Sequence, residues 1–274
     1  MIEHFAPRAF KSDAQCGIRS LCGVLDGHSG PAVAEYAAKR LPEIFQSQSW
    51  WGNKDTPNVS EVERALKSAF ESVDSEILAL TQSGGLGGGS TANVGLLVNQ
   101  RLYIANVGDT RAVLSRGGFA HELSEDHKPD RPSERARIEA LDGRVEWRGC
   151  WRVMGGSGAA CFRGLAVSRA FGDIDWKVPL PLVDPCPEVR SCQLTSEDEF
   201  LIIGCDGVWD VMSSQDAVDL ARRHALPITG AENGGGGVGD RAATAAAKEI
   251  ALTALERGSM DNITVVVMTL LRSP

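Results

Sequence analysis

The chain has 274 residues, 43% hydrophobic and 23% charged, an ordinary composition for a globular protein with room for a sizeable core. Its formal net charge of −8 and the lack of any clustered Lys/Arg stretch argue against a nucleic-acid partner, and no apolar run is long enough to span a bilayer. Seven scattered cysteines, odd in number and without a Cys-x-x-Cys pair, argue against a disulfide framework or a zinc site and predict a reduced, intracellular protein, cytoplasmic or nuclear.

Residues 20–26 (SLCGVLD) form an apolar run that predicts a strand. Pro31 opens a helix over PAVAEYAAKRLPEIF, where Pro is tolerated in the first turn. Residues 48–58 are polar and predict a loop. Ser60 followed by Glu63 has capping-box spacing ahead of the amphipathic helix ERALKSAFESVDSEILAL, which a glycine cluster ends. The period then changes. TANVGLLV, RLYIANV, TRAVLSR and FAHEL are separated by Asn99-Gln100, Gly108-Asp109 and Gly117-Gly118, the spacing of an antiparallel meander. SERARIEALDG predicts a short helix closed by Gly143. Residues 148–190 are irregular. EFLIIGCD predicts a buried strand, SSQDAVDLARRHA a helix, residues 229–240 (TGAENGGGGVGD) a flexible loop, RAATAAAKEIALTALERG a helix, and ITVVVMTLL a last strand. Mixed blocks of strands and helices indicate an α+β fold with antiparallel sheets in a single domain over 1–274.

One pattern recurs. Asp26 ends LCGVLD, Asp206 ends FLIIGCD, Asp109 lies in the turn NVGDT, and Asp261 lies in SMDN ahead of ITVVVM. Taken singly, each Asp fits a turn, where its side chain bonds nearby backbone. If neighbouring strands end together, the four carboxylates converge and repel, raising their pKa values. A divalent cation relieves that repulsion. The set is oxygen-only, which suits Mg²⁺ or Mn²⁺. Two such ions would activate a bridging water for phosphoester hydrolysis. His28, two residues after Asp26, could then protonate the leaving oxygen, although a lone loop histidine is more often merely solvated.

The motifs GVLDGHSG, GGGSTANVG, ANVGDTRAVL, SEDHKPDRPSERARI, GLAVSRAFGD, CDGVWDVMS and GSMDNITVVV follow one another over residues 22–270. In this order they resemble the metal-dependent protein phosphatases of the type 2C serine/threonine class. The resemblance implies two packed antiparallel β-sheets flanked by helices, an α-β-β-α layered sandwich. It implies Mg²⁺/Mn²⁺-dependent hydrolysis of phosphoserine and phosphothreonine in proteins by a metal-bridging water, with phosphorylated proteins as partners and a monomeric chain. By position, Asp26 bridges two metals, Gly27 offers its carbonyl, and Asp206 and Asp261 complete the first metal's shell. His28 matches the general acid, Thr91 a residue beside the site, and Asp109 with Asp210 a third metal. Residues of about 148–185 match a flap linked to substrate choice.

The first motif departs from the family. An Arg that binds substrate phosphate, then a Glu-Asp pair, is expected on the first strand. Glu3 aligns with the Glu and supports the metals through water, His4 stands in place of the Asp, and the Arg would fall before Met1. This departure leaves a second reading open: a weakened or inactive member that binds phosphoproteins without turning them over. A metal hydrolase of small phosphate esters is a third reading. SGGLGGGST is not a nucleotide loop, since Ser90 stands where the lysine belongs. Trp50-Trp51 and Trp147/Trp151 are either an aromatic recognition surface or core. Arg152, Arg163 and Arg169 meet either an anionic substrate or structural partners, and Asp173 shapes a turn.

Overall fold

The computed structural model describes residues 3–10, 19–51, 57–158, 160–225 and 237–270; the side chains of 3–10, 160–161, 225 and 237–240 are outside the description. Two antiparallel sheets form its centre. The first has the order β1-β2-β5-β6-β12, made of Glu3–Phe10, Arg19–Leu25, Ala92–Val98, Arg101–Val107 and Glu188–Gln193. The second has the order β14-β13-β7-β8, made of Val265–Thr269, Asp198–Gly204, Arg111–Arg116 and Phe119–Glu122.

Period-two alternation decides which residues face which layer. In β2, Cys22 and Val24 point into the core between the sheets, while Leu21 and Leu25 point outward. In β13, Leu201 and Ile203 point between the sheets, and Phe200 and Ile202 point outward. Both faces are buried, so these strands are continuous apolar runs rather than alternating ones. Helices α1 (Ala32–Gln46) and α2 (Val59–Gln82) cover the first sheet through Leu41, Phe45, Leu66 and Phe70. Helices α6 (Ser214–Ala225) and α7 (Gly237–Glu256) cover the second through Val218, Ala221, Ala246 and Ile250. The architecture is the α-β-β-α sandwich that the family resemblance implies.

Three local expectations are corrected. Helix α2 is capped two residues earlier than expected: Asn58, not Ser60, is the N-cap, and its side chain accepts from the Glu61 N–H at 2.9 Å. The meander is broken in the middle. β5 pairs with β6, and β7 pairs with β8 and β13, but Gly108–Thr110 carries the chain from the first sheet to the second. The predicted loop 229–240 overlaps α7, which begins at Gly237; residues 229–236 lie outside the described residues.

Smaller elements decorate the sandwich. β3 (Gly27–His28), β4 (Gly89–Ser90) and β11 (Phe171–Gly172) form a three-stranded patch. Helix α3 (Pro132–Glu139) and the hairpin β9 (Arg144–Trp147) and β10 (Trp151–Met154) follow the second sheet's β8 in the chain; β10 and α4 (Ala160–Arg163) fall within residues 148–185, and α5 (Asp206–Trp209) follows β13.

Candidate metal centre and active site

Asp26 leaves the end of β2 and is clamped by Thr91. The Asp26 N–H donates to Thr91 Oγ1 at 3.3 Å, and the Thr91 N–H donates to the Asp26 carbonyl at 3.0 Å. The Thr91 hydroxyl lies 2.7 Å from that of Thr110, directly after Asp109 in the crossover. This contact ties the first sheet's edge to the second sheet's approach. Beneath it, the buried Asn93 amide donates to Asn106 Oδ1, the Thr110 carbonyl and Ser124 Oγ at 3.0, 3.0 and 3.1 Å.

Asp206 opens α5 at the end of β13. The turn carrying Asp261 is sewn onto it: Ser259 Oγ donates to the Gly207 carbonyl at 2.6 Å, and Cys205 Sγ donates to the Asn262 carbonyl at 3.2 Å. Gly207 is required here, because a Cβ would collide with the Asn262 carbonyl oxygen. Asp26, Asp109, Asp206 and Asp261 accordingly line one cavity of about 820 Å³.

The charges conflict as the sequence predicted. Burial, then the charges of Asp109 and Asp261, push Asp26 up to about 6. Burial, then Asp109 and Asp26, push Asp206 up to about 8. Asp206 Oδ1 is buried with no hydrogen-bond partner among the described residues. Carboxylate oxygens of Asp26 and Asp206 lie within 4.8 Å of each other and of Cys205 Sγ. Cys205 is engaged with Asn262 and also accepts from the Thr264 N–H at 3.3 Å, leaving the oxygens as donors. An orphaned, buried carboxylate oxygen beside a second carboxylate fits a hard divalent cation.

His28 is placed by register. Both His28 and Gly172 lie opposite Gly89, so His28 and Asp173 flank that glycine. A Cβ at residue 89 would strike both side chains. His28 Nε2 lies 2.8 Å from Asp173 Oδ2. Burial lowers the His28 pKa, but the charge and hydrogen bond of Asp173, with Asp26 and Asp109 behind, carry it above the ordinary value. Asp173 is thus more than a turn former, although its left-handed φ of 51° also shapes the turn.

The remaining predicted residues are less central. Gly27 lines the cavity with Asp26. Lys128 donates to Asp109 Oδ2, and its pKa is raised, against burial, by Asp109, Asp206 and Asp210. Asp210 is exposed at the end of α5 and does not line the cavity. The backbone register sets Glu3 opposite Leu25 and His4 opposite Val24, beside Asp26; their side chains lie outside the described residues. Arg169 proves structural: it grips Glu134 through Nη2 at 2.6 Å and Nε at 3.2 Å. Trp50 is core, whereas Trp147 is 62% exposed.

Sequence reasoning gave no role to three supporting groups. His127 is buried; its Nδ1 accepts from the Gly108 N–H at 3.2 Å, and burial, then Arg169, pulls its pKa down to about 4. Lys177 is buried against Asp74 at 2.6 Å, and Asp74 accepts from the Gly172 N–H at 2.8 Å. Glu134 is the third. The visible signal was at Lys177's partner, since Asp74 shares the apolar face of its helix with Phe70, Val73 and Ile77.

The fold is a helix-flanked double sheet with aspartates brought from both sheets to one cavity, a donor set suited to a hard cation. A family model described as Protein phosphatase 2C matches residues 1–263, and the chain belongs to that family of serine/threonine phosphatases. It is 39% identical over 252 residues to "Probable protein phosphatase 2C 59" of Arabidopsis thaliana, covering 92% of this chain and 70% of that protein. It is 39% identical over 272 residues to "Probable protein phosphatase 2C 45" of Oryza sativa subsp. japonica, covering 99% and 83%. Against "Probable protein phosphatase 2C 52" of the same rice, the match covers 91% of this chain but 44% of the relative. Among solved structures, a serine-threonine phosphatase 2C from Toxoplasma gondii superposes with a TM-score of 0.74 at 22% identity, covering 98% of this chain and 94% of that one, a likeness of fold.

Proposed function

We propose that this chain hydrolyses phosphoserine and phosphothreonine esters in proteins, using Mg²⁺ or Mn²⁺. The observation that carries the reading is the convergence of Asp26, Asp206 and Asp261 with His28 on one cavity, where Asp206 Oδ1 is buried and unpartnered. When bound, divalent ions supply Lewis-acid activation of water and neutralise charge developing on the phosphoryl group.

The chain's own residues do the rest. Asp26 and Asp206 would hold the ions, and Asp261 and the Gly27 carbonyl would complete the donor set. Asp109 and Asp210 would serve a third ion in competition with Lys128, which already neutralises Asp109. His28, 29% exposed and lining the cavity, donates its proton to the departing serine or threonine oxygen. Asp173 holds the ring in place and favours its protonated form. Water attacks phosphorus directly, so no phosphorylated side chain forms.

The test is phosphate release from a phosphothreonine peptide with Mn²⁺ or Mg²⁺, with chelator, and with Asp206→Asn as blank. Metal-dependent release that the blank lacks is the expected result. Release that survives chelation, or that Asp206→Asn retains, overturns the assignment. Binding of the peptide without release would favour a regulatory phosphoprotein-binding role.

A further inference from the structure

The cavity that holds the aspartates is also lined by positive charge: Arg148, Arg152 and Arg163, together with Phe162. Unlike Arg169, these arginines are not consumed by buried carboxylates. Arg148 spends Nη2 and Nε on Glu146 at 2.9 and 3.3 Å and donates through Nη1 to the Phe162 carbonyl at 3.0 Å, which leaves one N–H on each terminal nitrogen. The bond to Phe162 fastens the β9–β10 hairpin loop to the turn of chain bearing Arg163. Arg152 donates only Nη1, to the Gly164 carbonyl at 3.2 Å. Arg163 makes no hydrogen bond or ion pair among the described residues. Phe162 is 77% exposed next to it. Guanidinium groups with donors left over recognise carboxylate or phosphoryl oxygens in pairs.

We propose that Arg148 and Arg163, flanked by Arg152, form a subsite for a second anion on the substrate, close in sequence to the phosphorylated residue. This rests on the phosphatase reading for what enters the cavity. The aspartate wall, with its ions, takes the scissile phosphoryl group. The arginine wall then meets an acidic side chain or another phosphoryl group on the same peptide. A cavity of 820 Å³ is about 9 Å across if roughly equant, which puts the second anion within about three extended residues of the first. The protein's net charge of −8 makes this local positive wall a selector, because the remaining surface repels acidic peptides.

The test uses labelled peptides in which a non-hydrolysable phosphonate replaces the scissile phosphate, with Mn²⁺ present. One peptide has neutral flanks, one has Glu within three residues, one has a second phosphoserine there, and one has Lys. Affinities are read by fluorescence anisotropy for the full chain, for Arg148→Gln/Arg163→Gln and for Arg163→Glu. The full chain should bind the Glu or phosphoserine peptide about fivefold more tightly than the neutral one. The double variant should narrow that preference to about twofold or less, and Arg163→Glu should turn it towards the Lys peptide, a reversal that a folding defect cannot produce. No preference in the full chain, or one equal in all three proteins, overturns the subsite. The Glu and phosphoserine arms identify which anion it takes. Phosphate release from the ordinary phosphothreonine peptide, run alongside, tests the catalytic reading separately: preference without release removes that reading alone, and release without preference removes the subsite alone.

Discussion

Replacing Glu134 by Gln should destabilise this protein by about 2–3 kcal/mol at neutral pH, with a pH signature that identifies the cause. Glu134 is 1% exposed and sits on α3 between Arg137 at 3.1 Å and Arg169 at 2.6 Å. Burial alone would raise its pKa, but the hydrogen bond and charge of Arg169, then Arg137, hold it down at about 2. Against an ordinary value of 4.5, that depression amounts to about 3 kcal/mol, reduced to about 2 because solvent reaches both arginine partners. Leaving two guanidinium groups short of a partner pushes the loss back up. Because the folded pKa is below the unfolded one, the stabilisation is complete above about 4.5 and fades as pH falls towards 2. Urea unfolding of both proteins at pH 7 and pH 3.5 measures this. The gap between them should be about 1 kcal/mol smaller at the lower pH. A gap below 1 kcal/mol at pH 7, or one that does not shrink, would refute the account.

Three further perturbations bear on the centre. Asp173→Asn should lower kcat about tenfold or more while KM changes by about twofold or less, since it disturbs His28 rather than the metal donors; steady-state kinetics on a phosphopeptide separates the two. Gly207→Ala should displace the Asp261 turn, weakening Mn²⁺ binding about tenfold by calorimetric titration and costing about 2 kcal/mol in urea. Lys177→Met should strand the buried Asp74 and cost about 3–5 kcal/mol by the same unfolding assay.

The α+β class and the central strands were legible in the chain itself, while the layered sandwich followed from the family resemblance. Runs such as LCGVL and FLIIG have no polar alternation, and their apolar length marks them as central. The convergence of the aspartates was legible for a related reason: each lies where such a strand or its turn ends. The crossing at Gly108–Thr110 was not, because a short Gly-Asp turn looks the same whether the next strand pairs with the last or joins another sheet. Nor was the capping of α2 by Asn58, since Ser60 and Glu63 also satisfy a capping pattern and local sequence cannot choose between them. The His28–Asp173 pair joins residues far apart in sequence through two registers meeting at Gly89, and no periodicity encodes such a meeting. Arg169 and Arg163 looked alike in sequence. Only the placement of Glu134 makes the first a brace and leaves the second free.

The crossing has a consequence for when activity can arise. Asp26 belongs to the first sheet, Asp206 and Asp261 to the second, and the Thr91–Thr110 contact joins the two margins. During synthesis β2, β5 and β6 emerge well before β13, and the Asp261 turn follows later still. A chain holding only one sheet carries only part of the cluster. On the catalytic reading proposed above, competence then coincides with completed docking of the two sheets.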